Sequence, residues 1–113
     1  MAGMETTSLA FVFVGLTFIA LGVPLVRRRI PRNRWYGFRV PKTFASEQVW
    51  YDANEIAGRD LVVAGAVVAA TALGTAGVSR LVPMFPGDAV NLVVFVGAML
   101  AATIHGFAVL RRM

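Results

Sequence analysis

The chain of 113 residues has no cysteine, which excludes disulfides, thiol nucleophiles and cysteine-ligated metals. It has one histidine, His105, so no histidine cluster can form within a single copy. Charge is scarce as well: 15% of residues are Asp, Glu, Lys or Arg, against about 25% in a soluble domain. The scarcity is regional. Ser8–Val26 and Leu61–Ser79 contain no charge at all, and Ala89–Leu110 contains only His105. Without a nucleophile–base pair or a metal-ligand set, an enzyme is the least favoured class, and neither a cofactor nor a metal is implied. No acid lies in the middle of an apolar run, which argues against a small drug–proton exchanger. The polar groups at the run centres are at most Thr71, Thr75 and Thr103, so transport would need an oligomer with a mainly apolar path.

What is present is grease. Hydrophobic residues make up 58% of the chain. The three uncharged runs are 19, 19 and 22 residues long. At 1.5 Å per residue each reaches about 28–33 Å, the thickness of a bilayer's hydrocarbon core. The expected fold is an all-α membrane protein, a single domain over 1–113. It has transmembrane helices at 8–26, 61–82 and 89–110, and a polar insert at 27–60 between the first two. Three buried soluble helices would leave too little polar surface to cover them. The first run is not a secretory signal, because positive charge follows its apolar core instead of preceding it.

The insert holds Arg27, Arg28, Arg29, Arg32, Arg34, Arg39, Lys42 and Arg59, eight of the eleven basic residues, and Arg111 and Arg112 close the chain. Positive charge marks the cytoplasmic side. The expected orientation therefore has the N-terminus outside, the insert inside and the C-terminus inside. In the second loop, "RLVPMFPGD", Pro83 is expected to stop the second span, Pro86-Gly87 to turn the chain and Asp88 to cap the third. Pro24 offers a kink near the inner end of the first. Small residues recur at four-residue spacing in Ala66, Ala70, Gly74 and in Ala98, Ala102, Gly106. Such rows let helices approach closely in lipid. The two rows either face each other in a hairpin, or one of them makes a homo-oligomer.

Within the insert, residues 27–43 contain Pro31, Gly37 and Pro41, which disfavour long regular structure. Residues 44–58 read as a short amphipathic helix, with Ser46 as cap, Glu47 at its positive end and Gly58 just past its end. Val49, Trp50, Ala53, Ile56 and Ala57 fall on one arc; Glu47, Gln48, Tyr51, Asp52, Asn54 and Glu55 fill the other. A lipid-binding helix would carry Lys and Arg on its polar face. This one carries acids, so the face is expected to meet the Arg-rich loop and fold with it into a cap, its Trp50 resting on lipid or on the inner ends of the spans. Two readings of Arg34, Arg39 and Lys42 compete. In one they set topology and touch lipid headgroups. In the other "RWYGFR" grips an anionic or peptide ligand with Arg34, Trp35, Tyr36 and Arg39 around Gly37. Nucleic acid is excluded as a partner, because the acids that follow offset the loop's charge.

The segment "NRWYGFRVPKTFASEQVWYDANEIAG" resembles the SdpI-like family of bacterial multi-pass membrane proteins, named for the immunity protein against the Sdp killing peptide. The family's Gly-x-Arg-x-Pro turn falls on Gly37, Arg39 and Pro41. Its helix start falls on Ser46 and Glu47, and its Trp, Asn and Ala-Gly fall on Trp50, Asn54, Ala57 and Gly58. Val40 departs from a Thr common in the pattern, and Glu55 from a basic residue. The resemblance implies a bacterial inner-membrane protein acting in peptide-toxin immunity, or in signalling through a cytosolic regulator, with the insert as contact. The competing reading is a non-catalytic accessory subunit of a larger membrane complex. The orientation is tested directly. A cysteine placed at Thr6 should react with an impermeant thiol reagent in intact cells and one at Lys42 should not; the opposite labelling would invert the topology.

Overall fold

The computed structural model describes residues 2–113, with side chains described from Thr6 onward. Helix α1 spans Ala2–Val26, α2 Pro41–Phe44, α3 Glu47–Leu81 and α4 Gly87–Leu110; the described residues contain no strand. Three segments, Thr6–Val26, Glu47–Leu81 and Gly87–Leu110, are long and apolar enough to cross a membrane. The chain is an all-helical membrane protein. Helices are the form such segments must take, because hydrocarbon offers backbone N–H and C=O groups no partner outside their own segment.

The expected short helix over 44–58, separate from a span beginning at 61, is not a separate element. Its residues form the first turns of α3, a single 35-residue helix. At 1.5 Å per residue that is about 52 Å, far longer than a bilayer core, so its first three turns stand clear of the apolar run. Gly58 does not end a helix here, and no proline lies between it and the apolar run to do so. Ser46 caps α3 as its residue type suggests, its Oγ accepting from the Val49 N–H at 3.1 Å. At the other end α3 stops at Leu81, ahead of Pro83. Pro86, not Asp88, precedes the first residue of α4. Asp88 lies in the first turn, where its charge still suits the helix dipole.

Glycine determines how the spans meet. Gly15 of α1 faces Gly65 of α3, and Gly22 faces Gly58. A Cβ on Gly22 would lie 2.6 Å from the Gly58 carbonyl oxygen, and one on Gly58 would lie 2.7 Å from Leu25 Cβ. Both pairs repeat every seven residues along antiparallel helices, so two backbones run nearly in contact for two turns. Ala66, Ala70 and Gly74 point outward from the bundle, and a Cβ on Gly74 meets nothing within 4 Å. The expected facing of that row against Ala98, Ala102 and Gly106 therefore fails. The α4 row does turn inward, with Gly106 buried against the Phe38 ring. Four-residue spacing pointed to the wrong stripe of α3 because Ala and Gly also line its lipid-facing side.

Helix α4 is held to the bundle by contacts of two kinds. Phe95 meets Phe11 and Phe18, with ring centroids 5.9 and 6.1 Å apart. Nearer the α3–α4 turn, the Thr75 hydroxyl lies 3.2 Å from Asn91 Oδ1, both residues buried. At its far end α1 closes with a Schellman turn, in which the Arg29 N–H donates to the Pro24 carbonyl and the Arg28 N–H to the Leu25 carbonyl. Arg28 occupies the left-handed position at φ 57°, where glycine is usual and a side chain costs roughly 1 kcal/mol.

The glycine seam makes a direct prediction. Gly65→Ala drives a methyl into the Gly15 backbone and should destabilise the detergent-solubilised protein by about 1–3 kcal/mol. Gly74→Ala, with open space around it, should be neutral or slightly stabilising. Equal unfolding midpoints for the two variants in a mixed-detergent titration would contradict the seam.

Candidate functional site: a cap over the helix ends

Residues 27–46 fold back over the first turns of α3. Asn33 organises the start of the loop. Its Oδ1 accepts from the backbone N–H groups of Trp35 at 2.8 Å and Tyr36 at 2.7 Å, while its Nδ2 donates to the Pro31 carbonyl at 2.8 Å. This is the local side-chain turn that asparagine favours. Gly37 follows at φ 112°, a conformation that side chains avoid. A Cβ there would also stand 2.6 Å from Asn54 Oδ1. Pro41 then opens α2, and the buried Thr43 hydroxyl bonds both the N–H and the carbonyl of Val40, at 3.0 and 2.8 Å.

Asn54 pins this loop to α3. Its Oδ1 accepts from the Phe38 N–H at 2.6 Å, and its Nδ2 donates to the Trp50 carbonyl at 2.9 Å and, more weakly, to the Phe38 carbonyl at 3.4 Å. Asn54 is 2% exposed, on the polar arc that was expected to meet the loop. An arc sorts residues by polarity, whereas a carboxamide is buried readily when a backbone supplies matching groups. Trp50 is fully buried. Its Nε1–H donates to the Ile30 carbonyl at 2.8 Å, and its ring stacks on Phe44 at 5.4 Å. The loop itself covers Trp50, rather than lipid or the span ends as expected.

The acidic face of α3 does meet the arginines. Arg28 pairs with Asp52 at 2.9 Å and approaches Glu55 at 3.9 Å, and its guanidinium lies 5.4 Å from the Tyr51 ring centroid. Arg32 reaches Glu47 at 4.0 Å and Arg59 reaches Glu55 at 3.8 Å. These partners are partly exposed, so each pair contributes at most about 1 kcal/mol. Arg39 does not join these pairs. It turns back on its own loop instead, its Nη1 donating to the Arg34 carbonyl and its Nε to the Gly37 carbonyl at 3.3 Å. Arg28 and Arg32 enter from the other side and occupy those acids.

The predicted site residues thus separate into groups. Gly37, Trp50 and Asn54 meet and hold the cap. Pro41, Ser46 and Glu47 shape the corner from α2 into α3. Gly58 belongs to the helix seam with Gly22. Arg34 and Trp35 face outward, with Trp35 71% exposed. Tyr36 turns inward. Burial pushes its phenol above the ordinary value, so it stays protonated at neutral pH, and its oxygen is buried with no hydrogen-bond partner.

Beneath the cap, the cap-side halves of α1, α3 and α4 leave an apolar cavity of about 560 Å³. Leu21 and Leu25 form one wall, Met99 and Phe107 another, and Tyr36, Gly37 and Phe38 form the roof. Phe38 also packs edge-on against Phe107, 5.1 Å between centroids. Asp60 lies on the cavity wall and bonds His105, Nδ1 to Oδ2, at 2.6 Å across the α3–α4 seam. His105 therefore has a hydrogen-bond partner on the neighbouring helix. Phe38, Asn33, Thr43 and the Asp60–His105 pair were missed from sequence. The Pro-x-Asn spacing at 31–33 was a readable turn signal; a hydrogen bond between residues 45 apart was not.

Three spans, a loop folded over one end and a helix running unbroken from that loop into the bilayer define a small multi-pass membrane protein with a built-in cap. Residues 29–108 match the family model described as the SdpI/YfhL protein family, and the chain belongs to that family. The matched region contains the whole Asn54 clamp. No curated protein and no solved structure matches the chain.

Asn54→Leu keeps the volume but strands the Phe38 N–H, and should cost about 1–3 kcal/mol. Trp50→Phe should cost a similar amount by orphaning the Ile30 carbonyl and thinning the stack on Phe44. Tyr51→Ala, outside the clamp, should be milder than either. Proteolysis of the loop at 32–40 provides the readout, and cleavage of Asn54→Leu no faster than of Tyr51→Ala would refute the clamp.

Proposed function

We propose that the chain is a non-catalytic protein of the bacterial cytoplasmic membrane that gives immunity to a membrane-active peptide, or reports its presence, through the cap as contact surface. The observation that carries this reading is Trp35. An indole 71% exposed stands on a loop that Asn33, Gly37 and Asn54 hold in one conformation. A preformed aromatic loses little freedom on binding, and Trp and Arg are the residue types that dominate contact energies. Arg34 stands next to it, and Arg39 and Lys42 follow on the same loop. The surface suits a partner with an apolar anchor and negative charge or free carbonyl groups. Family membership agrees with the immunity reading, and the positive charge of the loop favours the cytoplasmic side, where a peptide that has entered the membrane or a cytosolic regulator can reach it.

An accessory subunit of a larger complex is the second reading. The outward row of Ala66, Ala70 and Gly74 favours it, since that row offers another helix a close approach. The cap plays no part in it, so the two readings diverge in one experiment. Trp35→Ala should reduce protection against the peptide, or recovery of the regulator in a mild-detergent pulldown, by tenfold or more, with membrane insertion unchanged. Ala66→Leu/Ala70→Leu should leave protection intact. The reverse pattern would favour the accessory subunit.

A further inference from the structure

The cavity beneath the cap has a shape and a charge pattern that the contact surface on the outside of the cap does not explain. Its walls run from the roof at Tyr36–Phe38 down to Met99. Met99 lies about 16 Å from the end of α4 at Leu110, at 1.5 Å per residue. That is close to the depth of one hydrocarbon leaflet, roughly half of a 30 Å core. The lining is aliphatic and aromatic over most of its length, and its volume of about 560 Å³ is that of a ligand site. The rim is open sideways, because Leu21 of α1 and Thr103 of α4 are both exposed where they border it. A lipid chain can therefore enter from the bilayer without passing through water.

The cavity's basic group lies at the roof. Arg39 lines the cavity there. Its Nη1 and Nε are committed to the Arg34 and Gly37 carbonyls, which fixes the fork and leaves Nη2 available to donate. The Tyr36 ring lines the same roof, but its hydroxyl oxygen is buried out of the cavity's reach, so the donor the roof offers a ligand is Arg39. Asp60, the one acid on the wall, already has a hydrogen-bond partner in His105 at 2.6 Å. The loop behind Arg39 carries Arg27, Arg29, Arg34 and Lys42, and the whole chain has a net charge of +5. Basic pockets between transmembrane helices suit anionic headgroups.

We propose that this cavity is a binding site for one anionic phospholipid of the adjoining leaflet, with an acyl chain between α1 and α4 and the headgroup phosphate held by Arg39. The site is independent of Trp35 and of the immunity reading, so either can fail without the other.

The test is native mass spectrometry of the full chain in a neutral detergent, titrated with phosphatidylglycerol or with phosphatidylcholine of the same chains. One phosphatidylglycerol should bind per chain, in preference to phosphatidylcholine. Arg39→Gln should weaken it roughly fivefold or more, the loss expected for one basic contact to an anionic lipid. Lys42→Gln removes the same charge from outside the cavity and should have a smaller effect. Thr103→Phe and Leu21→Trp fill the cavity from exposed rim positions and should abolish binding with the thermal unfolding midpoint of the lipid-free protein unchanged. Inorganic phosphate should not compete, since it lacks the chain. Equal binding of the two lipids, equal losses in Arg39→Gln and Lys42→Gln, full binding to both rim variants, competition by phosphate alone, or a dimer that excludes lipid would each overturn the site.

Discussion

The Asn54 carboxamide is the contact on which the cap depends. It pairs with Phe38 as a neighbouring strand would, taking the N–H and offering an N–H to the carbonyl, while also reaching the Trp50 carbonyl behind it. A loop over a membrane protein has no hydrophobic core of its own to define it. Here one buried amide substitutes for that core, and the geometry propagates from it. Gly37 has φ 112° and no side chain because Asn54 Oδ1 occupies the place of a Cβ. Phe38 is thereby aimed at Phe107 and Gly106, and Tyr36 is turned inward while Trp35 is turned out. Trp50, one turn earlier on α3, closes the other side of the loop through Ile30 and Phe44.

The cap is coupled mechanically to the bilayer because α3 is continuous. Asn54 and Trp50 lie on the same helix as Gly58 and Gly65, and those glycines lock against α1. A force on the loop is therefore transmitted to a rigid rod whose seam with α1 has almost no side chain to deform. The α4 side is softer. There the contacts are aromatic edges, a buried Thr75–Asn91 pair and the His105–Asp60 bond, and the cavity opens between α4 and α1. A change of shape around the cavity would move α4 more readily than α3. Packing in cores and interfaces favours discrete arrangements over continuous ones, so such movement would be a step rather than a drift.

Much of this was legible in the sequence and some was not, for identifiable reasons. Uncharged runs reveal spans because hydrocarbon tolerates little else. Ser46 reveals a helix start because the orphan N–H groups need an acceptor. Acids at 47, 52 and 55 beside a run of arginines reveal that the two must meet. By contrast, Gly58 is ambiguous by nature. The same missing side chain suits a helix end or a helix crossing, and only the partner glycine at 22 decides between them. The seven-residue spacing of Gly15–Gly22 and Gly58–Gly65 carried that information, but four-residue alanine rows in an alanine-rich chain masked it. Asn54 was legible as part of the face that meets the loop, but its backbone partners at Phe38 and Trp50 were not. The pairing of Asp60 with His105 depends on how α3 and α4 align, which no local pattern carries.

Arg28 shows how the charges divide their labour. It occupies the left-handed position that ends α1, at φ 57°, and glycine there would relax the backbone. What an arginine adds is reach. From that position the guanidinium touches Asp52, Glu55 and the Tyr51 ring, fastening the end of α1 to α3 just as the chain leaves for the loop. Arg32 and Arg59 take up the remaining acids of that face. The acids are thereby matched on the helix side, and the unmatched cations, Arg34, Arg39 and Lys42, are gathered along the outer loop. Groups that hold the cap and groups that can meet an anion occupy different edges of it. A substitution on the outer edge can change what the cap binds while the Asn54 clamp and the Arg28 fastening keep its shape.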